Sequence, residues 1–272
     1  MKIIRFIDAS AQVRYGAQLP DGTRVELDGD PYEGNVRVTS RPADVRRLLA
    51  PVAPTNIFAV GLNYRQHAEE SRMKVPEFPI IFMKGTNAVC ASGEPIILPR
   101  VLESTEVDYE CELAVVIGKG GKNIMRKDAL KHVLGYTGGN DVSARDWQLR
   151  RGGGQWVRGK TFDSFCPLGP CLVTPDEIPD GANSLSIKTV LNGKTVQDWD
   201  TGDMIFDVPA LIEFLSASTT MIAGTVILTG TPHGVGAAHK PPLWLKPGDT
   251  VTIEIEHIGE LTNPVVEEQI TG

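Results

Sequence analysis

Short stretches of this chain alternate apolar and polar residues with a period of two, the pattern of a strand with one face covered. Within the first thirty residues "IIRFI", "VRYGAQL" and "TRVEL" follow one another, the last two flanking Pro20-Asp21-Gly22, and together they predict a β-hairpin module. "RPADVRRLLAPVAP" then sets Val45, Leu48 and Leu49 on one helical face before a run of prolines, which predicts a short helix and a linker near residues 51 to 55. The expected division is a small N-terminal β-rich domain over residues 1–55 and a larger domain over residues 56–272.

Beyond the linker "NIFAVG" reads as a buried strand, and "NYRQHAEES" as a short helix with an Asn start. "PIIFMK", "EPIILP", "ECELAVVIG" and "LGYTGGNDVS" add strands, with "KDALKHVL" as a helix between the last two. Asn192-Gly193 lies between alternating segments and predicts a tight hairpin, because a type I′ turn needs positive φ at both central residues. "VPALIEFLSAST" is the best amphipathic helix, and "GTVILTGTP" and "GDTVTIEIEHIG" supply further strands. Strands and helices do not alternate regularly, so the expected class is α+β and β-dominated rather than a doubly wound parallel sheet.

A net charge of −7 argues against nucleic acid and anionic membrane as partners, since both would repel an acidic surface. No stretch approaches the ~18 apolar residues of a membrane span. Cys90, Cys111, Cys166 and Cys171 form no CxxC pair and sit in apolar or Pro-rich settings, so a soluble chain in a reducing, cytoplasmic compartment is expected.

Candidate chemistry begins in "VDYECELAVVI", where Asp108, Glu110 and Glu112 occupy alternate positions and so share one strand face. On its own that is a solvated face; the apolar Ala114 and Val116 continuing the same face suggest instead that the acids lead into a dry region and need a counter-charge. Asp141 follows a Gly-rich strand, as a helix N-cap or as a side chain held at the mouth of a sheet. Should Glu110, Glu112 and Asp141 meet within ~5 Å, each pair costs ~3 kcal/mol at an effective dielectric of ~20, which a bound cation or proton uptake must relieve. Hard carboxylate oxygens suit Mg(II), Mn(II) or Ca(II) better than Zn(II).

His67 and Glu70 are three apart on the predicted helix, either a surface contact or a base with its orienting carboxylate. Lys84 and Lys160 are the available cations. "LTGTPHGVG" runs from a strand into a loop that is either an ordinary tight turn or an anion cradle built from backbone N–H groups and the Thr231 hydroxyl. GxSxG, P-loop and HExxH patterns are absent, which leaves serine hydrolysis, nucleotide binding and zinc hydrolysis unsupported.

Taken in order, "NYRQHAEE", "VDYECELAVVIG", "GYTGGNDVSARDWQ", "RGKTFDSFCPLGP" and "LTGTPHGVG" closely resemble the fumarylacetoacetate hydrolase superfamily over about residues 56–268. The resemblance implies a mixed β-sandwich roll, a homodimer, and an enzyme that binds Mg(II) or Mn(II) and acts on a small 2-oxo acid. It also implies Glu110, Glu112 and Asp141 as metal ligands, His67 and Glu70 as the water-activating pair on a segment that closes as a lid, and Lys160 as a catalytic cation. Arg145, Gln148 and Thr231 match substrate-contacting positions. Some members carry a further aspartate ligand upstream of the histidine, where this chain has "FAVGL" and a water is expected; His233 stands where relatives often have a small residue. "QWVRGKTFDSFCPLGP" and "PPLWLKPGD" look like a branch containing sugar-derived dioxo-acid hydrolases and oxaloacetate-acting proteins. The expected reaction is metal-assisted hydrolysis of a carbon–carbon bond in a 2,4-dioxo acid. The alternative keeps the enolate without hydrolysis: oxaloacetate tautomerisation or decarboxylation, or hydration or isomerisation of an unsaturated 2-oxo acid.

Overall fold

The computed structural model describes residues 1–270, and its first strands follow the sequence alternation. β1 (Lys2–Ile7), β2 (Val13–Gln18), β3 (Arg24–Asp28) and β4 (Arg37–Pro42) pair in turn as an antiparallel meander. The helix expected in "RPADVRRLLAPVAP" does not form. Arg47–Leu49 is instead a strand, β5, antiparallel to β1 with Leu49 opposite Arg5. A segment of about two turns caught between Pro42 and Pro51 gains little from helix formation, whereas β1 offers it a row of backbone partners.

After the linker come β6 (Ile57–Gly61), α1 (Arg65–Glu70), β7 (Ile80–Lys84), β8 (Val89–Cys90) and β9 (Ile96–Leu98). β10 (Val107–Asp108), β11 (Cys111–Ile117), β12 (Val133–Asn140) and β13 (Ser143–Ala144) lead to α2 (Val157–Lys160) and β14 (Cys166–Val173). The last part holds β15 (Ser186–Leu191), β16 (Lys194–Asp200), α3 (Val208–Ser216), β17 (Val226–Leu228), β18 (Thr250–Ile255) and β19 (Gly259–Glu267). Asn192 and Gly193 turn β15 into β16 with φ of 51° and 78°, as the hairpin signal requires. α3 starts where Asp207 accepts from the Ala210 N–H at 3.0 Å, and it buries Val208, Leu211, Ile212 and Leu215. "KDALKHVL" is helical but tighter than expected, a 3-10 stretch over Arg126–His132 packed against α3.

These strands make a β-dominated fold of two main sheets. The larger runs β4-β3-β2-β1-β14-β12-β11-β17-β6-β7, with β5 and β8 attached to β1 and β14. The smaller runs β16-β15-β18-β19-β9, and β15, β18 and β19 pack on β11, β12 and β14. β11 lies at the centre, and all seven of its residues are buried. Apolar residues from both sheets form one cluster, from Ile3 and Phe6 through Leu113 and Val115 to Ile253 and Leu261. Among the described residues no helix is long and apolar enough to cross a membrane.

One detail of the sequence reading changes. "VDYECELAVVI" is not one strand: it breaks between Asp108 and Cys111 into β10, which pairs with β13, and β11 in the main sheet. Asp108 therefore leaves the face that Glu110 and Glu112 share.

Candidate active site

The register of β11 against β12 assembles the site. Glu112 lies opposite Gly139 and Cys111 opposite Asn140, which carries Asp141 alongside Glu110. Two hydrogen bonds hold that junction, from the Asp141 N–H to the Glu110 carbonyl at 2.9 Å and from the Glu110 N–H to Asn140 Oδ1 at 3.0 Å. In consequence Glu110, Glu112 and Asp141, all buried, each place a carboxylate oxygen within 4.8 Å of the others. Asp141 is not an N-cap; its side chain is wholly committed to this cluster.

Sequence spacing alone suggested that only a cation or a proton could relieve the repulsion. The structure supplies part of the relief itself. Lys160, at the end of α2, reaches Glu110 Oε2 at 2.8 Å and Asp141 Oδ2 at 2.6 Å. Lys84, at the end of β7, reaches Asp141 Oδ1 at 2.5 Å and donates to the Val142 carbonyl at 3.1 Å. Both lysines are buried. Burial alone would raise the Glu110 carboxyl, but Lys160 and Arg145 outweigh it and hold Glu110 well below the ordinary carboxylate range. Burial likewise opposes the charge on Lys160, and Asp141 with Glu110 overcomes it, so this ammonium is held more firmly than an exposed one.

Glu112 is the exception. Burial, then the charges of Asp141 and Glu110, push its carboxyl well above the usual range, and its hydrogen-bond donor is the Gly230 N–H at 2.7 Å. Among the described residues Glu112 is thus left without an ion-pair partner of its own. The group that fits beside it is a divalent cation with hard oxygen ligands, held by Glu110, Glu112 and Asp141.

Gly230 can serve Glu112 because its φ is 98°, and a Cβ there would lie 2.7 Å from the Asn63 Cβ. Gly230→Ala is expected to destabilise the fold by about 1–3 kcal/mol through left-handed strain and this clash. A melting temperature equal to the parent's would refute that.

Asp108, though separated from the trio, remains part of the site. It binds Arg145 Nε at 2.8 Å and accepts from the N–H groups of Gly236 at 2.7 Å and Ala237 at 3.0 Å. Arg145 also faces Glu110, with Nη2 2.7 Å from Oε1, and donates to Gln148 Oε1 at 3.0 Å. Three buried cations, Lys84, Lys160 and Arg145, therefore face the four carboxylates of Asp108, Glu110, Glu112 and Asp141.

His67 and Glu70 meet across one turn of α1, Nδ1 to Oε2 at 3.2 Å. The Gly234 N–H, from the loop after β17, donates to Glu70 Oε1 at 3.0 Å. Burial raises the Glu70 carboxyl, but the His67 and Gly234 hydrogen bonds outweigh it and the net shift is downward. A cavity of about 260 Å³ brings most of the expected residues to one surface: His67, Glu110, Glu112, Arg145, Gln148, Lys160 and Thr231. Asp141 and Glu70 stand behind it, as supports of Lys160 and His67. Phe82 and Trp156, packed edge-on at 5.4 Å, make an apolar wall that the sequence did not reveal.

The chain is similar to known proteins over nearly its whole length. Residues 56–266 match the family described as fumarylacetoacetate (FAA) hydrolase C-terminal, and residues 1–51 the one described as Rv2993c-like, N-terminal. The chain belongs to the fumarylacetoacetate hydrolase superfamily. It is 51% identical over 220 residues to human "Oxaloacetate tautomerase FAHD2A, mitochondrial", covering 80% of this chain and 69% of that protein. It is 47% identical over 239 residues to the Dictyostelium discoideum "Fumarylacetoacetate hydrolase domain-containing protein 2 homolog", covering 85% and 78%. Among solved structures, 5-carboxymethyl-2-hydroxymuconate delta-isomerase from Mycobacterium smegmatis matches with a TM-score of 0.84 and 39% identity, over 98% of this chain and all of that one. The protein is therefore an enzyme of this superfamily with a buried acidic metal site.

Proposed function

We propose that this enzyme interconverts keto and enol forms of a 2-oxo acid, with oxaloacetate as the first substrate to try. The observation that carries the reading is that a histidine base and a buried carboxylate cation site open into one small cavity. Relatives named as a tautomerase and an isomerase support it better than the carbon–carbon hydrolysis that the sequence put first.

Removing a proton from the carbon beside a 2-oxo group requires a base and a place for negative charge on the oxygen. When bound, a divalent cation would supply Lewis acidity at that oxygen. Lys160 adds to it: two of its N–H bonds are spent on Glu110 and Asp141, and among the described residues the third has no hydrogen-bond acceptor in the pocket that Lys160 lines beside the Phe82 ring. An ionised Glu70 can only accept, so the Nδ1 of His67 carries the hydrogen and Nε2 is left as the base. Arg145, neutralised by Asp108 and Glu110, serves with Gln148 to place the substrate rather than to supply net charge.

Hydrolysis of a 2,4-dioxo acid is the second reading, because the same His67–Glu70 pair could deprotonate a water. Following the ultraviolet absorbance of the enol in ¹⁸O-labelled water with Mg(II) separates the two. Accelerated decay of enolic oxaloacetate, with no labelled carboxylate released from acylpyruvates, is the expected result. Labelled carboxylate without any acceleration of tautomerisation would overturn the proposal in favour of hydrolysis.

A further inference from the structure

The smaller sheet reaches the active site through Gln197 on β16, a residue 2% exposed. Its Oε1 accepts from the Cys111 backbone N–H at 3.1 Å and from the Thr189 hydroxyl at 2.7 Å. Its Nε2 donates to Thr231 Oγ1 at 2.9 Å and to the Pro232 carbonyl at 2.9 Å, with the His233 carbonyl at 3.4 Å. A peptide N–H can only donate and a carbonyl can only accept, so both ends of this amide are assigned by backbone groups of fixed role.

Thr231 Oγ1 is thereby an acceptor, and the hydroxyl keeps its own hydrogen. Among the described residues that hydrogen makes no hydrogen bond of good geometry; the Cys111 thiol, a weak acceptor, is within its reach, and Thr231 lines the cavity together with Glu112 and Lys160. A threonine free to rotate would spend its hydrogen on a nearby backbone carbonyl. Here the Gln197 amide fills one lone pair of Oγ1, so the hydroxyl hydrogen has to point away from Gln197.

We propose that Gln197 is a positioning residue that commits Thr231 to donate its hydroxyl hydrogen into the pocket, toward a carboxylate or enolate oxygen of the substrate. This rests on the reading of the cavity as a 2-oxo acid site, and it adds the smaller sheet to the machinery that holds the anion. Gln197 touches no substrate atom; its effect passes entirely through Thr231.

The test is a double-mutant cycle on the full chain, with oxalate titrated calorimetrically in the presence of Mg(II). Gln197→Met and Thr231→Val are each expected to weaken oxalate about 10- to 100-fold, the worth of one hydrogen bond to a charged group. The double variant should bind no more weakly than Thr231→Val alone, and Thr231→Ser should bind like the parent. Gln197→Glu, whose carboxylate accepts from Thr231 and draws its hydrogen back, should match Thr231→Val and serves if Gln197→Met fails to fold. Gln197 variants that bind like the parent, or whose losses add in full to that of Thr231→Val, would show a structural role only and overturn the proposal. A parent protein that takes up no oxalate with Mg(II) would instead remove the 2-oxo acid reading and this inference with it.

Discussion

Chelation of divalent cations is expected to abolish turnover of oxaloacetate tautomers, and added Mg(II) or Mn(II) to restore it. Without the cation, negative charge developing on the 2-oxo oxygen would face Glu110 and Glu112 directly, with only Lys160 and the already paired Arg145 to offset them. The companion variant is Glu112→Gln. It keeps an acceptor for the Gly230 N–H and removes the carboxylate that has no cationic partner. The metal-free protein is therefore expected to melt at the same or a higher temperature than the parent, while metal affinity falls by more than the roughly 10–100-fold that follows loss of an outer-shell partner. Unchanged metal affinity in Glu112→Gln, or full activity after chelation, would remove the acidic cluster from the chemistry.

His67→Ala is expected to lower kcat by about 10²–10⁴-fold while the affinity for Mg(II) stays at the parental value. The separation is testable because His67 lies on α1, whereas the carboxylates lie on and beside β11 and β12. Glu70→Gln should be milder, since Gln can still accept from Nδ1 and from the Gly234 N–H but no longer stabilises a protonated imidazole. Equal rates for His67→Ala and the parent would assign proton transfer to another group. A parallel loss of metal binding would point to misfolding of α1 and its surroundings.

Much of the site was legible because its parts lie in short, strongly patterned segments. The i,i+2 acids of "ECEL", the i,i+3 pair of "HAEE" and the Gly-rich approach to Asp141 each fix local geometry, and the β11–β12 register then joins them. Lys84 was visible in outline, since period two in "IIFMK" places it with Phe82 on the inward face while Met83 is 41% exposed. What concealed its role was the general rule that lysines stay in water; its partner Asp141 is 57 positions away, a pairing set by topology. Gln197 was out of reach for the same reason. Nothing in "GKTVQDWD" announces that one amide will span two sheets.

The two errors of local structure share a cause. "RPADVRRLL" has helical spacing but became an edge partner of β1, and "VDYECEL" has unbroken alternation but parts at Tyr109–Glu110 so that Asp108 can reach Arg145 and the 236–237 amides. In both, contacts with distant segments outweighed a local preference of a few tenths of a kcal/mol per residue.

β1 hydrogen-bonds to β14 through Lys2 opposite Val173 and Ile3 opposite Leu172, so the two family segments share one continuous sheet rather than meeting as separate lobes. Excising residues 1–55 would uncover unpaired backbone along the "PCLV" stretch of β14, next to a strand that leads back toward Asp141. A truncated fragment of this kind is a candidate for sticky self-association, and engineering of the catalytic half should retain its leading strands.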